Sequence, residues 1–329
     1  KSSLYLTIYF IGVPFTLIYN FGAAILRAYG DTKRPMLYLT LSGIINAVLN
    51  LFFVIVCKID VAGVAIATVI SQVVSVVLVM RCLMCFDGWA QIHLKELRIH
   101  KAEAIQMLQI GLPAGLQTTL FNISNVMVQS AVNGFGADVV AANTASSNIA
   151  AFTYTAMNSV YHAAITFTSQ NLGARLYDRI NKIFWSCNAA VLIIGIPLCA
   201  LSTIFGPQLL SVYIARSDPA FDVIIQAGMV RTYYTTTVYI LCGLMDACCG
   251  MVRGLGAAWI PMLVSLTGAC LLRIVWIWTL FRWDHTLQML YVSYPISWVV
   301  TTLAHLICYV VIWKRMRARL AERTASESI

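Results

Sequence analysis

From Leu4 to Leu26 the chain carries no charged residue, and uncharged windows of the same kind recur at 61–80 and 183–213. A hydrocarbon layer about 30 Å thick is crossed by roughly 20 apolar residues of helix, because a helix satisfies its own backbone hydrogen bonds where water is absent. Several windows reach that length, so the chain reads as an all-α polytopic membrane protein. Composition agrees: 60% of residues are hydrophobic and 11% charged, against about 25% charged in a soluble domain, and the mean hydropathy is +0.80. Period-two alternation is absent, which argues against a barrel. Leu4–Leu26 is too long for the apolar core of a cleavable signal and runs into a basic loop, so it reads as a span. The chain begins with Lys1 rather than Met, and the expectation is a natural start upstream with further helices ahead of the first span.

Nine spans emerge from the pattern: 4–26, 35–57, 61–84, 104–132, 143–170, 183–213, 225–252, 258–281 and 288–313. The fifth, rich in Asn, Ser and Thr, gives the weakest hydropathy signal. Lys and Arg in alternate loops fall sixteen on one side and four on the other, with Arg231 and Arg273 inside spans. The positive-inside rule makes the richer side cytoplasmic, with the N-terminus outside and the C-terminus inside. The net charge of +9 is thus distributed as topology signals, and it implies no nucleic-acid partner. Residues 86–103 form the longest polar stretch between spans, with Lys95, Glu96, Arg98 and Lys101 at near-helical spacing, and read as an amphipathic surface linker or a solvated loop. The ten cysteines lie mostly within spans at no metal-ligand spacing from a His, and read as small packing residues.

Two loops share a pattern, "ILRAYGDTKRPML" at 25–37 and "MVRGLGAAWIPML" at 251–263. At an offset of 226, Arg27 meets Arg253, Gly30 meets Gly256, and Pro35, Met36 and Leu37 meet Pro261, Met262 and Leu263; Ile70 with Ile296 and Ser71 with Ser297 keep the register. Six spans separate the copies, so both run the same way through the membrane as a parallel repeat. The basic residues read as anchors to the inner leaflet, the glycine as a tight turn, and the proline as a first-turn residue of the next helix.

"LRAYGDTKRP", followed by "GIINAVLNLFFV" and "VAGVAIATVISQ", resembles the multidrug and toxic compound extrusion (MATE) transporters, and "GLPAGLQ" at 111–117 and "SQNLGA" at 169–174 resemble passages of their second half. The resemblance implies a two-lobe helical bundle of twelve helices, of which this chain looks like helices 4 to 12, the first three being absent. It divides the chain into the remainder of the N-terminal lobe (1–85), a cytoplasmic linker (86–103), a six-helix C-terminal lobe (104–315) and a cytoplasmic tail (316–329).

Of thirteen acidic residues, Asp246 alone lies well inside a span, about 10 Å from the helix end at Arg253 by the 1.5 Å rise per residue. An acid at that depth costs about 2.5–3.5 kcal/mol on insertion scales, so it faces a cavity or a partner rather than lipid. It reads either as a reversible ion carrier or as a structural hydrogen-bonding group. Arg273, about 18 Å into its helix from Pro261, is one available partner. In the resemblance, Asn46 matches an Asn of the first lobe's proton or sodium site and Thr68 its Thr, whereas Asn50 stands where archaeal-type members carry an Asp; interhelical hydrogen bonding is the alternative for all three.

Thr118, Asn122, Asn125, Gln129 and Asn133 form a polar stripe on one helix, which the resemblance places on the central cavity. Asn148, Thr155, Asn158 and His162 make a weaker one. Tyr239, with Thr235 and Cys242, shares the face of Asp246, and an aromatic beside an acid suits an organic cation.

No Walker motif, nucleophile elbow or HExxH occurs, so ATP-driven transport and hydrolysis by this chain are disfavoured. The expectation is a monomeric, cofactor-free secondary antiporter of the cell membrane, exporting amphipathic organic compounds in exchange for protons or sodium. A flippase for lipid-linked saccharides is the nearest alternative and a membrane-embedded enzyme a more distant one. Cysteines introduced within 86–103 or after Arg315 are expected to label from the cytoplasm, and one beside Asp138 from outside; labelling of both groups from one side would defeat the nine-span topology.

Overall fold

The computed structural model describes residues 2–86, 88 and 91–327, and at residues 2, 60, 94 and 319–327 the backbone alone. The helices are α1 (Ser2–Tyr29), α2 (Lys33–Val56), α3 (Asp60–Met84), α4 (Lys101–Asn133), α5 (Ala137–Gly173), α6 (Tyr177–Ile204), the short α7 (Gly206–Leu210), α8 (Phe221–Gly254), α9 (Trp259–Trp283) and α10 (Leu287–Glu327). Each of the nine spans falls on one of the long helices, with α7 closing the sixth. By length and composition, seven of the described helices are apolar enough to cross a membrane. The long α4 and α5 fall short because polar stripes dilute them. Three helices contain a π-helical turn, at Phe52–Val56 in α2, Thr232–Thr236 in α8 and Leu266–Leu271 in α9.

The chain forms two compact units, Lys1–His100 and Lys101–Ile329. In the first, α3 packs against both α1 and α2, and the core comprises Tyr19, Ala23, Leu26, Val79, Leu83 and Phe86. The linker between α3 and α4 is not a surface helix: its described residues hold one short 3-10 turn at Leu94–Glu96. Ile92 packs against the core of the first unit while Leu97 and Ile99 stay exposed, and charge spacing alone does not hold a helix. Backbone and side-chain bonds from Ile92 to Leu83 and from Gln91 to Met84 fold it back on the end of α3. Asp87, Trp89 and Ala90 of this linker lie outside the described residues.

In the second unit α5 is central. Its buried positions, Ala142, Ala145, Ile149, Thr153, Met157, Val160, Ala164 and Thr168, recur every three or four residues, so one continuous face meets α6 and α8. The main core joins Val160 and Ala164 to Phe184 and Val191 of α6, Ala247 and Met251 of α8, and Tyr309 of α10. Contact between α5 and α8 is close because Gly250 and Gly254 sit four apart on α8, the small-xxx-small pattern that lets helix backbones approach in lipid. A Cβ at Gly250 would lie 2.9 Å from the Tyr161 carbonyl oxygen.

The repeated loops fold alike. Gly30 donates to the Arg27 carbonyl and Asp31 to Leu26; Gly256 donates to Arg253 and Ala257 to Val252. Both glycines have positive φ, +100° and +88°, so each helix ends in the same Schellman cap, and Pro35 and Pro261 enter the first turn of the next helix. After the cap the copies diverge. Asp31 Oδ1 accepts from the backbone of Lys33 and Arg34, 3.1 Å each, capping α2, while position 257 is Ala.

Gly250→Val is expected to force α8 from α5 and destabilise the protein by about 1–3 kcal/mol, the usual range for overpacking. Thermal unfolding in detergent measures it, with Gly43→Ala of α2, whose Cβ would meet nothing within 4 Å, as the control that stays level or rises by up to about 1 kcal/mol.

Candidate functional site

Helix α8 positions the site through an irregularity. At Thr232–Thr236 its bonds lengthen to the i→i−5 pattern, as in Thr237 N–H to Thr232 C=O at 3.0 Å. Such turns recur at functional sites because they shift the faces of the flanking residues. Here Arg231 precedes the turn, and Tyr239, Cys242, Met245, Asp246, Cys249 and Arg253 come after it on one side of the helix. With side chains from α4, α5, α9 and α10 they wall a cavity of about 660 Å³ inside the C-terminal unit.

Thr118, Asn122 and Asn125 of the α4 stripe line this cavity together with Tyr239 and Asp246, and so do Asn158 and His162 of the weaker α5 stripe. Gln129 is absent from the wall. Its Oε1 accepts from Asn143 Nδ2 at 2.7 Å and its Nε2 donates to Asn133 at 3.0 Å, while the Tyr291 hydroxyl donates to Asn143 Oδ1 at 3.1 Å. These bonds tie α4 to α5 and α10, so the far end of the stripe is used in interhelical bonding. Thr235 is also turned away: it is buried, with its hydroxyl on the Arg231 carbonyl at 2.7 Å.

Three arginines line the same cavity. Arg273 does not pair with Asp246. Its Nε donates to Ser297 Oγ at 2.9 Å, and its guanidinium lies 4.2 Å from the ring centre of Tyr294 and 5.7 Å from that of Trp298. Aromatic faces one helix away hold the charge more closely than a carboxylate at a different depth. Arg231 donates to Ser146 Oγ at 3.2 Å. Arg253, expected to anchor a loop to the leaflet, instead turns inward, donating to the Tyr161 hydroxyl and to Gln117 Oε1. Its repeat partner Arg27 is exposed. Asp246 is half-buried on the wall, whereas in the N-terminal unit Arg34 pairs with Asp31 at 3.3 Å.

In the N-terminal unit Asn46, Asn50 and Thr68 meet. Asn50 Nδ2 donates to Asn46 Oδ1 at 3.0 Å, and Asn46 Nδ2 faces both Thr68 Oγ1 and Ser71 Oγ at 3.4 Å. Ser42 completes the cluster by donating to the Ser71 carbonyl at 2.6 Å. Asn50 Oδ1 is buried without a partner. Ser42 escaped sequence reasoning because serines are common in spans, and Ser71 entered it only as a position of the repeat. Arg231 carried a signal, being a charge in mid-span, whereas the inward turn of Arg253 and the wall positions of Tyr154, Tyr161 and Trp298 carried none. Among the described residues no group of three His, Cys, Asp or Glu side chains is placed to hold a metal ion.

A family model described as MatE matches residues 1–52 and 113–279. The probable multidrug resistance protein YoeA of Bacillus subtilis (strain 168) is 26% identical over 326 residues, covering 95% of this chain and 68% of that protein. The probable multidrug resistance protein YpnP of the same strain is 25% identical over 273 residues, covering 83% of this chain and 60% of that protein. Among solved structures, the outward-facing conformation of a multidrug resistance MATE family transporter of the MOP superfamily superposes with a TM-score of 0.84 at 20% identity, over 97% of this chain and 70% of that one. That likeness establishes the shared fold.

Asn143→Leu is expected to lower thermal stability in detergent by about 0.6–2 kcal/mol, the range for interhelical bonds in membranes. Gln129→Leu should cost a similar amount, and the double variant less than the sum, because both remove the same bond.

Proposed function

The chain belongs to the MatE family of membrane transporters, and from that premise we propose that it works as a cation-coupled antiporter exporting amphipathic organic compounds by alternating access. One observation carries the reading: Thr118, Asn122, Asn125 and Tyr239, an amphipathic lining, share a single cavity with Asp246, the acid on its wall. Relatives named for multidrug resistance support the cargo class.

Asp246 serves as the ion-responsive group. Proton or sodium entry beside it changes the relative stability of inward- and outward-facing states, and an ion couples to cargo only through such a difference in affinity between states. Asn46, Asn50, Thr68 and Ser71 form a second polar site in the N-terminal unit. As an all-amide and hydroxyl set it has no proton to release, and serves as an oxygen-donor or bonding cluster. The protein acts as a monomer in the cell membrane, with its C-terminus in the cytoplasm. One observation favours a second reading, a flippase for lipid-linked saccharides: Arg231, Arg253 and Arg273 make the wall of the cavity more cationic than an exporter of cations requires.

Asp246→Asn separates coupling from packing, since the amide keeps size and hydrogen bonding but loses the titratable charge. In sealed vesicles holding the full-length protein, export driven by a proton or sodium gradient is expected to fall by about tenfold or more, within the roughly 5–150-fold range of a typical coupling free energy, with expression unchanged. Export at the parental rate under both gradients would make Asp246 structural.

A further inference from the structure

We infer that the cavity of the C-terminal unit takes an organic anion with a flat aromatic or apolar body, not an organic cation. The inference rests on the reading that this cavity carries the cargo, and concerns the charge of that cargo. Three guanidinium groups line the wall, Arg231, Arg253 and Arg273, against one carboxylate, Asp246. Their direct partners are neutral: Ser146 for Arg231, Tyr161 and Gln117 for Arg253, Ser297 for Arg273.

Donor capacity is left over at each of them. Arg273 is 3% exposed and its Nη2 has no partner; the Nε atoms of Arg231 and Arg253 are likewise buried without one. Guanidinium groups held among neutral partners keep their full charge, and three of them on one wall against a single carboxylate leave an excess of positive charge that a planar or tetrahedral oxyanion in the cavity answers.

The aromatic lining points the same way. An organic cation would seek the open faces of electron-rich rings, yet Tyr294 and Trp298 already present theirs to Arg273, at 4.2 and 5.7 Å. Beside them Tyr239 and Tyr154 continue the series, with ring centres 5.1 Å apart for Tyr239–Trp298 and 6.4 Å for Tyr154–Tyr239. These rings meet a flat apolar body whatever its charge, so the arginines set the charge of the cargo. The anionic end therefore meets the arginines and the body meets the tyrosines. Such an anion arrives either as a free aromatic acid or as the phosphate head of an apolar lipid.

The test uses two probes of one shape and opposite charge, anthracene-9-carboxylate and anthracene-9-methylammonium, titrated against the full-length protein in phosphatidylcholine nanodiscs, with empty discs as the blank. The carboxylate is expected to bind at least about tenfold more tightly than the ammonium ion, on the scale of one hydrogen bond to a charged group. Arg273→Gln and Arg231→Gln should each lose most of that preference, whereas Arg273→Lys, which keeps the charge, should retain part of it. Asp246→Asn should tighten carboxylate binding, because it removes a like charge from the cavity wall. A short prenyl phosphate that displaces the carboxylate at lower concentration than free aromatic acids do would identify the lipid-borne source, and the reverse order the free one. Tighter binding of the ammonium probe, lost in Asp246→Asn, would overturn the anion inference and leave the transport reading standing. If neither probe binds above the blank, both fall.

Discussion

A polar group inside a bilayer has no water to fall back on, and this constraint organises the C-terminal unit. Asn, Gln, Thr and Arg on spans must meet one another or a wet cavity. Both solutions occur along a single helix. Near one end of α4, Gln129 is consumed by Asn143 and Asn133; further along, Thr118, Asn122 and Asn125 face the cavity. The same stripe thus welds α4 to α5 and α10 at one level and supplies polar lining at another. Small residues make this arrangement dense enough to hold, since Gly250 and Gly254 let α8 come within backbone contact of α5.

The internal repeat shows how one frame supports two kinds of site. Both copies close the preceding helix with the same Schellman cap and restart it with the same proline. In both, a serine at the repeated position, Ser71 or Ser297, accepts from a side chain of the preceding long helix, from Asn46 in one copy and Arg273 in the other. At an offset of 226 the counterpart of Asn46 is Leu272, one residue short of Arg273. The π-helical turn at Leu266–Leu271 lies just before it, and an inserted residue of this kind rotates the rest of the helix by one position. In α2 the π-helical turn comes after Asn46. An amide in one copy and a cation in the other therefore occupy equivalent places on the frame.

The same divergence appears at the loops. Arg27 is exposed at the end of α1, while Arg253 at the end of α8 is drawn in by Tyr161 and Gln117. Because Arg231 and Arg273 reach the same cavity, its wall is cationic around a single carboxylate. Asp246 therefore sits in a field set by arginines.

From the sequence alone came the number and placement of the long helices, the parallel repeat, the family, and the depth of Asp246. These rest on one-dimensional signals: apolar run length, the offset of 226 between the repeated loops, and the lone acid in a span. The membership of the cavity wall was half legible, because a polar stripe on α4 must face something polar, though not which part of it. The tertiary structure alone decided that Gln129 bonds between helices, that Arg253 turns inward rather than toward lipid, and that Arg273 rests on Tyr294 and Trp298 instead of pairing with Asp246. Each of those outcomes depends on which residue a neighbouring helix presents at a given depth. Periodicity says nothing about that depth once π-helical turns have shifted the faces of α8 and α9.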